Sequence, residues 1–248
     1  MITVKNLQLS FDSKVVLENI SFTVEKTHIT AVLGKNGSGK SVLLKCIAGL
    51  LPFQKGVITI DEKLVSQEMY YTVTENDKTL AAYVFQKGGL FDSMTVYENI
   101  AFGMRRKLIP EETISDTVMQ TLSKVGLEGA HDKLPSELSG GMQKRVGLAR
   151  SLCLNPLTIL YDDPTAGLDP VLTDSIADIV LDIRDREEVT SIVVTHDLAF
   201  ARKVADRIIL LYDSNCVYNG SKDSFFSGEN EFARQFIDGD IEGPIDIF

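Results

Sequence analysis

No apolar run in this 248-residue chain approaches the roughly 18 to 20 residues that cross a bilayer, and the run over 208–212 stops after a strand's length. The expectation is a chain that does not itself span a membrane. Its opening residues, Met1 to Asn6, lack the basic region and long apolar run of a secretory leader, which points to the cytoplasm. Cysteine is scarce: Cys46, Cys153 and Cys216 lie far apart, with no C-x-x-C pair and no nearby histidine. That pattern excludes a disulfide framework and a zinc site, and reduced, mostly buried thiols are expected. Basic residues are outnumbered, 25 Lys and Arg against 35 Asp and Glu, for a formal net charge of −10. Sequence-independent nucleic-acid binding runs on clustered cations, so no nucleic-acid partner is expected. Internal repeats and low-complexity segments are missing as well.

What is present is a composition of 44% hydrophobic and 24% charged residues, enough for one sizeable core. The first 25 residues alternate, with Ile2, Val4, Leu7, Leu9 and Phe11 and then Ile20, Phe22 and Val24, as in a half-exposed antiparallel sheet. Ile29 to Leu33 is instead nearly all apolar, as in a parallel strand covered on both faces. Similar runs recur at Leu157–Tyr161, Ser191–Thr195 and Ile208–Tyr212, with helical patterns between them. One such pattern starts at Pro110, continues through Ile114, Val118, Leu122 and Val125, and closes at Gly126. Strands alternating with helices give an α/β core with a parallel sheet, and the early strands add an antiparallel layer. Residues 67–79 read as a loop or weak hairpin.

Gly34-Lys35-Asn36-Gly37-Ser38-Gly39-Lys40-Ser41 fits G-x-x-x-x-G-K-[ST] between a buried strand and an apolar helix over 42–51. Such a loop turns backbone N–H groups and a helix N-terminus toward a phosphate, with Lys40 on the β and γ oxygens and Ser41 on Mg²⁺. Asp162 and Asp163 follow the strand over 157–161, at the carboxyl end where ligands of α/β sheets collect. Asp162 suits a metal-holding role, and Asp163 suits orienting or deprotonating a water. Leu138-Ser139-Gly140-Gly141-Met142-Gln143 opens another helical pattern and can be either a second anion site or an ordinary helix cap.

Together these motifs resemble the ABC ATPase family, whose signature segment is matched by residues 138–143, with Met142 and Gln143 departing from the commonest form. Gln86 in Tyr83-Val84-Phe85-Gln86 resembles the glutamine that senses the γ-phosphate and touches Mg²⁺, and Ala166-Gly167-Leu168-Asp169 resembles the D-loop. His196 resembles the switch histidine, and Phe11 falls where the family stacks an aromatic on adenine. The resemblance implies a RecA-like P-loop core with an antiparallel β subdomain and an inserted helical subdomain. It also implies ATP and Mg²⁺ as cofactors, and a homodimer in which the loop over 34–41 of one subunit shares ATP with Ser139, Gly140 and Gly141 of the other. Integral-membrane permease subunits, with a small accessory subunit, are the implied partners at the cytoplasmic face of the inner membrane. His28 and His131 fall outside the motifs and read as surface residues.

The segment over 88–99, Val42 where many relatives carry threonine, and the ending over 235–245 resemble one subfamily, the ATPases of Mce-associated, Mla-type phospholipid transporters. The expected organisation is an ATPase domain over 1–230, its helical subdomain over about 87–156, and an acidic, apolar docking tail over 231–248. An importer ATPase with polar cargo and a soluble non-transport ABC ATPase are the competing readings. Asp163 stands where most hydrolysing members have glutamate, and it is shorter by one C–C bond, about 1.5 Å, which points to slow turnover.

Overall fold

The computed structural model describes residues 1–65 and 78–246. β1 (Ile2–Phe11) and β2 (Lys14–Val24) pair as an antiparallel hairpin whose inward residues, Ile2, Val4, Leu7, Leu9, Leu17, Ile20 and Val24, are all buried. The chain then enters β3 (Ile29–Leu33), buried along its whole length, and α1 (Lys40–Ile47). It returns to the first sheet as β4 (Lys55–Ile60) and β5 (Lys63–Leu64), giving the order β2-β1-β4-β5.

After β6 (Ala82–Val84) come α2 (Val96–Arg106), α3 (Glu111–Lys124) and α4 (Gly140–Leu152), the helices of the region expected to be helical. β7 (Thr158–Asp162), α5 (Pro170–Glu187), β8 (Thr190–Val194), α6 (Leu198–Val204) and β9 (Arg207–Tyr212) alternate. β10 (Asn215–Ser221), α7 (Lys222–Phe226) and α8 (Glu231–Asp238) complete the described elements. The second sheet runs β10-β9-β3-β8-β7-β6, parallel except where β10 meets β9. The expected α/β architecture, a parallel core with an antiparallel layer, is what the chain adopts.

Some boundaries differ from the sequence expectation for local reasons. α1 ends at Ile47 instead of continuing to Leu51, because Gly49 turns left-handed at φ 70°. β7 is shifted one residue, so Asp162 is the last residue of the strand, paired with Val194, instead of the first residue after it. Pro110 caps α3 from outside, and Gly126 closes the turn after it at φ 65°. Of the loop expected over 67–79, residues 67–77 lie outside the described residues, and Thr79 forms a parallel bridge with Pro156.

The described part of the tail packs on the chain's own core. Phe232, Ala233, Phe236 and Ile237 share one face of α8 at helical spacing, and that face packs on Ala31, Leu33, Ile208, Leu210 and Phe225. Ile245 joins the same cluster, whereas Ile241 is 70% exposed. Buried Gln235 ties the two halves of the tail together. Its Nε2 donates to Asp240 O (3.1 Å) and Ile245 O (3.0 Å), and its Oε1 accepts from Ile245 N (2.7 Å). Gln235→Ala strands these backbone groups and should lower stability by about 2 kcal/mol in denaturant titrations, with faster amide exchange over 240–246. Unchanged stability and exchange would mean that the carboxamide holds nothing.

Candidate functional site

β3 delivers the chain into Gly34, whose φ of 149° and surroundings admit only glycine, since a Cβ there would lie 2.4 Å from Leu211 O. The loop closes through Gly37 and reaches Gly39, the left-handed N-cap of α1. Among the described residues no side chain caps that N-terminus, and no acidic residue occupies its first turn. The first N–H groups of α1 therefore face outward without an acceptor, as an anion site requires. In the same loop the Ser38 hydroxyl is buried and without a hydrogen-bond partner among the described residues.

The two loop lysines part ways. Lys40 Nζ turns inward and donates to Gly34 O (2.8 Å) and Lys35 O (2.9 Å). Burial pulls its pKa below the ordinary lysine value, against the opposing pull of Asp163 and Asp162. Lys35 Nζ instead points to the tail, donating to Asp246 O at 2.9 Å while lying 5.2 Å from the centre of the Tyr212 ring.

Opposite Lys40 stand the two carboxylates. Asp162 Oδ1 accepts from Ser41 Oγ and Oδ2 from Tyr83 Oη, each at 2.7 Å. Asp163 leaves the strand with a left-handed φ of 47° and its N–H on Val194 O, a conformation that aspartate tolerates at a cost of about 1 kcal/mol. Asp163 Oδ2 accepts from Gln86 Nε2 (3.3 Å) and from His196 Nδ1 (3.1 Å). Since a carboxylate only accepts, the proton of His196 is assigned to Nδ1. The switch-like histidine is itself 61% exposed while the carboxylate it meets is buried.

These groups line one pocket of about 290 Å³. From the loop it takes Asn36, Gly37, Gly39, Lys40, Ser41 and Val42, and from the strand ends Gln86, Asp162, Asp163 and His196. Phe11 does not line it: the residue ends β1, 47% exposed, and Val16 of β2 lies against the pocket instead. Ser139, Gly140, Gly141 and Asp169 are also elsewhere. Ser139 caps α4 by accepting from Met142 N (3.3 Å), Gly141 is buried against Leu172, and Asp169 caps α5 by accepting from Leu172 N (2.9 Å). Within one chain, therefore, Ser139, Gly140, Gly141 and Asp169 are not part of the pocket.

Sequence reasoning missed Tyr83 as a partner of Asp162, Val16 and Val194 in the lining, and Lys144, which donates to Gln86 O from α4. Tyr83 sits three residues before Gln86, but only the pairing of β6 with β7 reveals its target.

A family model described as ABC transporter matches residues 17–166. The chain belongs to the ABC transporter family. It is an ABC ATPase, binding and hydrolysing ATP to energise transport. It is 39% identical to the probable ribonucleotide transport ATP-binding protein mkl of Mycobacterium tuberculosis, over 98% of this chain and 68% of that protein. The glutamate/aspartate import ATP-binding protein GltL of Escherichia coli is 35% identical, over 96% of this chain and 98% of that protein. The intermembrane phospholipid transport system ATP-binding protein MlaF of the same species is 34% identical, over 99% and 91%. A dimeric post-hydrolysis structure of the cassette MJ0796 with ADP and Pi superposes with a TM-score of 0.77 at 27% identity, covering 90% of this chain and 99% of that one.

For this ABC ATPase, Asp163→Asn should cut ATP turnover by a hundredfold or more, since general-base contributions run to about 10² to 10⁴. Asp163→Glu should match or raise turnover if reach limits the shorter side chain. Steady-state phosphate release measures both, and an Asn variant as fast as the parent would remove Asp163 from catalysis.

Proposed function

We propose that this ABC ATPase works as a homodimer that drives an integral-membrane permease, with phospholipid as the cargo. The observation that carries the nucleotide chemistry is the convergence of Lys40, Ser41, Gln86, Asp162, Asp163 and His196 on one pocket. An unsatisfied helix N-terminus beside the half-buried Lys40 ammonium fits a polyphosphate.

The oxygen donors also fit Mg²⁺. Among the described residues no cluster of three or more His, Cys, Asp or Glu could hold a metal alone. Mg²⁺ takes few protein oxygens and draws the rest from phosphates and water, which suits Ser41, Gln86 and Asp162. Bound there, it would neutralise charge on the phosphate oxygens. The chain's own groups do the remaining work. Lys40 binds the β and γ oxygens. Asp163 accepts the proton of the attacking water at its carboxylate, which has lone pairs left after Gln86 and His196. His196 and Gln86 fix that carboxylate's orientation.

The dimer is supported by the position of Ser139 and Gly140, which are exposed at the start of α4 outside the pocket, with Gly141 buried behind them. A second subunit supplies that surface to the first one's ATP. The dimeric MJ0796 cassette supports this arrangement. Asp169, at the N-terminus of α5, belongs to the same interface, and Phe11 approaches the adenine from the rim.

The lipid cargo rests on the segment over 88–99. Gly88 and Gly89 are both left-handed, and Arg150 holds their carbonyls at 3.0 and 2.7 Å. Asn99, fully buried, donates to the carbonyls of Phe91, Met94 and Thr95, and leaves Phe91 half exposed beside Phe102. This loop is the face offered to the permease. The ATPase domain then spans 1–230 with its helical part over about 87–156, and Ile241, exposed on the tail, is an apolar contact for a companion or accessory subunit. Among the described residues no helix is long and apolar enough to cross a membrane. In the proposed assembly the permease holds the chain at the inner membrane's cytoplasmic face. MlaF supports the phospholipid reading, and GltL, at nearly the same identity, supports a polar amino acid as the alternative.

Purification of the tagged chain from its own membranes in mild detergent should yield a permease with bound phospholipid. Recovery with an amino-acid importer, or with ribosomes or nucleic acid, would overturn the lipid assignment.

A further inference from the structure

We infer that Tyr83 is a positioning residue for the metal side of the site: its hydroxyl holds the Asp162 oxygen that Ser41 leaves free. The inference rests on the proposed role of Asp162 beside Mg²⁺. It follows from the register of β6 on β7, where Tyr83 lies opposite Leu160 in a parallel pair. Asp162 is two residues further along the same face, about 6.6 Å, a span that a tyrosine leaning along its strand can cover. The ring is 6% exposed and packed against Phe85 at a centroid distance of 4.7 Å, so the hydroxyl has little freedom.

The carboxylate is thereby gripped from two sides. Ser41 Oγ comes from the first turn of α1 and holds Oδ1, and Tyr83 Oη comes from the edge strand and holds Oδ2, both at 2.7 Å. A carboxylate with one hydrogen bond can swing about its Cβ–Cγ bond, whereas one with a bond on each oxygen presents a fixed plane. Ser41 is part of the phosphate loop and is itself a proposed metal ligand, so Tyr83 is the partner that keeps Asp162 aimed without touching metal or nucleotide. Outer groups of this kind commonly govern metal affinity by ten- to a hundredfold. A tyrosine whose hydroxyl merely needed an acceptor would have no such effect.

The discriminating variant is Tyr83→Phe, which keeps the ring and removes only the hydroxyl, with Tyr83→Met as a second form that fills the space without one. Mn²⁺ affinity of the full chain in the presence of ATP is read by electron paramagnetic resonance, and ATP affinity is read separately in EDTA. Both variants should bind Mn²⁺ about tenfold more weakly while metal-free ATP affinity stays within twofold. Asp162→Asn, run alongside, should lose Mn²⁺ more severely. Parent-like Mn²⁺ affinity in both Tyr83 variants, with loss in Asp162→Asn, would overturn the role of Tyr83 and leave the proposed metal site standing. Parent-like affinity in all three would overturn the metal role of Asp162 and this inference with it.

Discussion

The structure depends on keeping one half-buried ammonium, that of Lys40, near two buried carboxylates at the carboxyl ends of a parallel sheet. Removing such charges from water costs several kcal/mol per ion unless each is paired and hydrogen-bonded. The strand order satisfies this demand. β3 carries the phosphate loop, β7 ends in Asp162, and both flank β8, whose continuation bears His196. Because these strands are parallel, their carboxyl ends open on one side of the sheet, where α/β proteins gather ligands. The fully buried, mostly apolar strands offset this cost, since they anchor polar strand ends in a core that buries every residue of β3, β7 and β8.

Much of this was legible in the residues. The loop over 34–41 announced itself because glycine, lysine and serine at those spacings suit a turn that exposes N–H groups, and the apolar run before it matched a strand buried on both faces. Asp162 and Asp163 were legible as strand-end carboxylates for the same reason. The bond from Tyr83 to Asp162 was not legible, because it depends on which strand lies beside β7, and neighbour order is a property of topology that local patterns do not encode. The tail shows the opposite failing. Phe232, Phe236 and Ile237 have helical spacing, but interleaved acids and glycines mask it, and the clamp made by Gln235 depends on residues 240–246 folding back, which local spacing does not encode. The link from Lys35 to Asp246 joins that tail to the phosphate loop across 211 residues of sequence.

The short carboxylate at Asp163 finds a structural answer in its backbone. A left-handed turn directly after β7 brings it onto Gln86 and His196, so the group reaches its neighbours despite lacking the extra methylene of glutamate. Lys144, donating to Gln86 O, ties the same cluster to the helix that begins at Ser139. The cluster and the helix start are therefore linked within one chain, although the exposed Ser139 does not line that chain's own pocket.

In the proposed dimer, the pocket of one subunit is completed by the Ser139 helix of another. Mixing Lys40→Ala and Ser139→Ala proteins and measuring ATP hydrolysis tests it most directly. Each pure variant should be inactive, whereas the mixture should regain activity, because a mixed dimer keeps one site with Lys40 and Ser139 both intact. Full hydrolysis by pure Ser139→Ala would contradict the account.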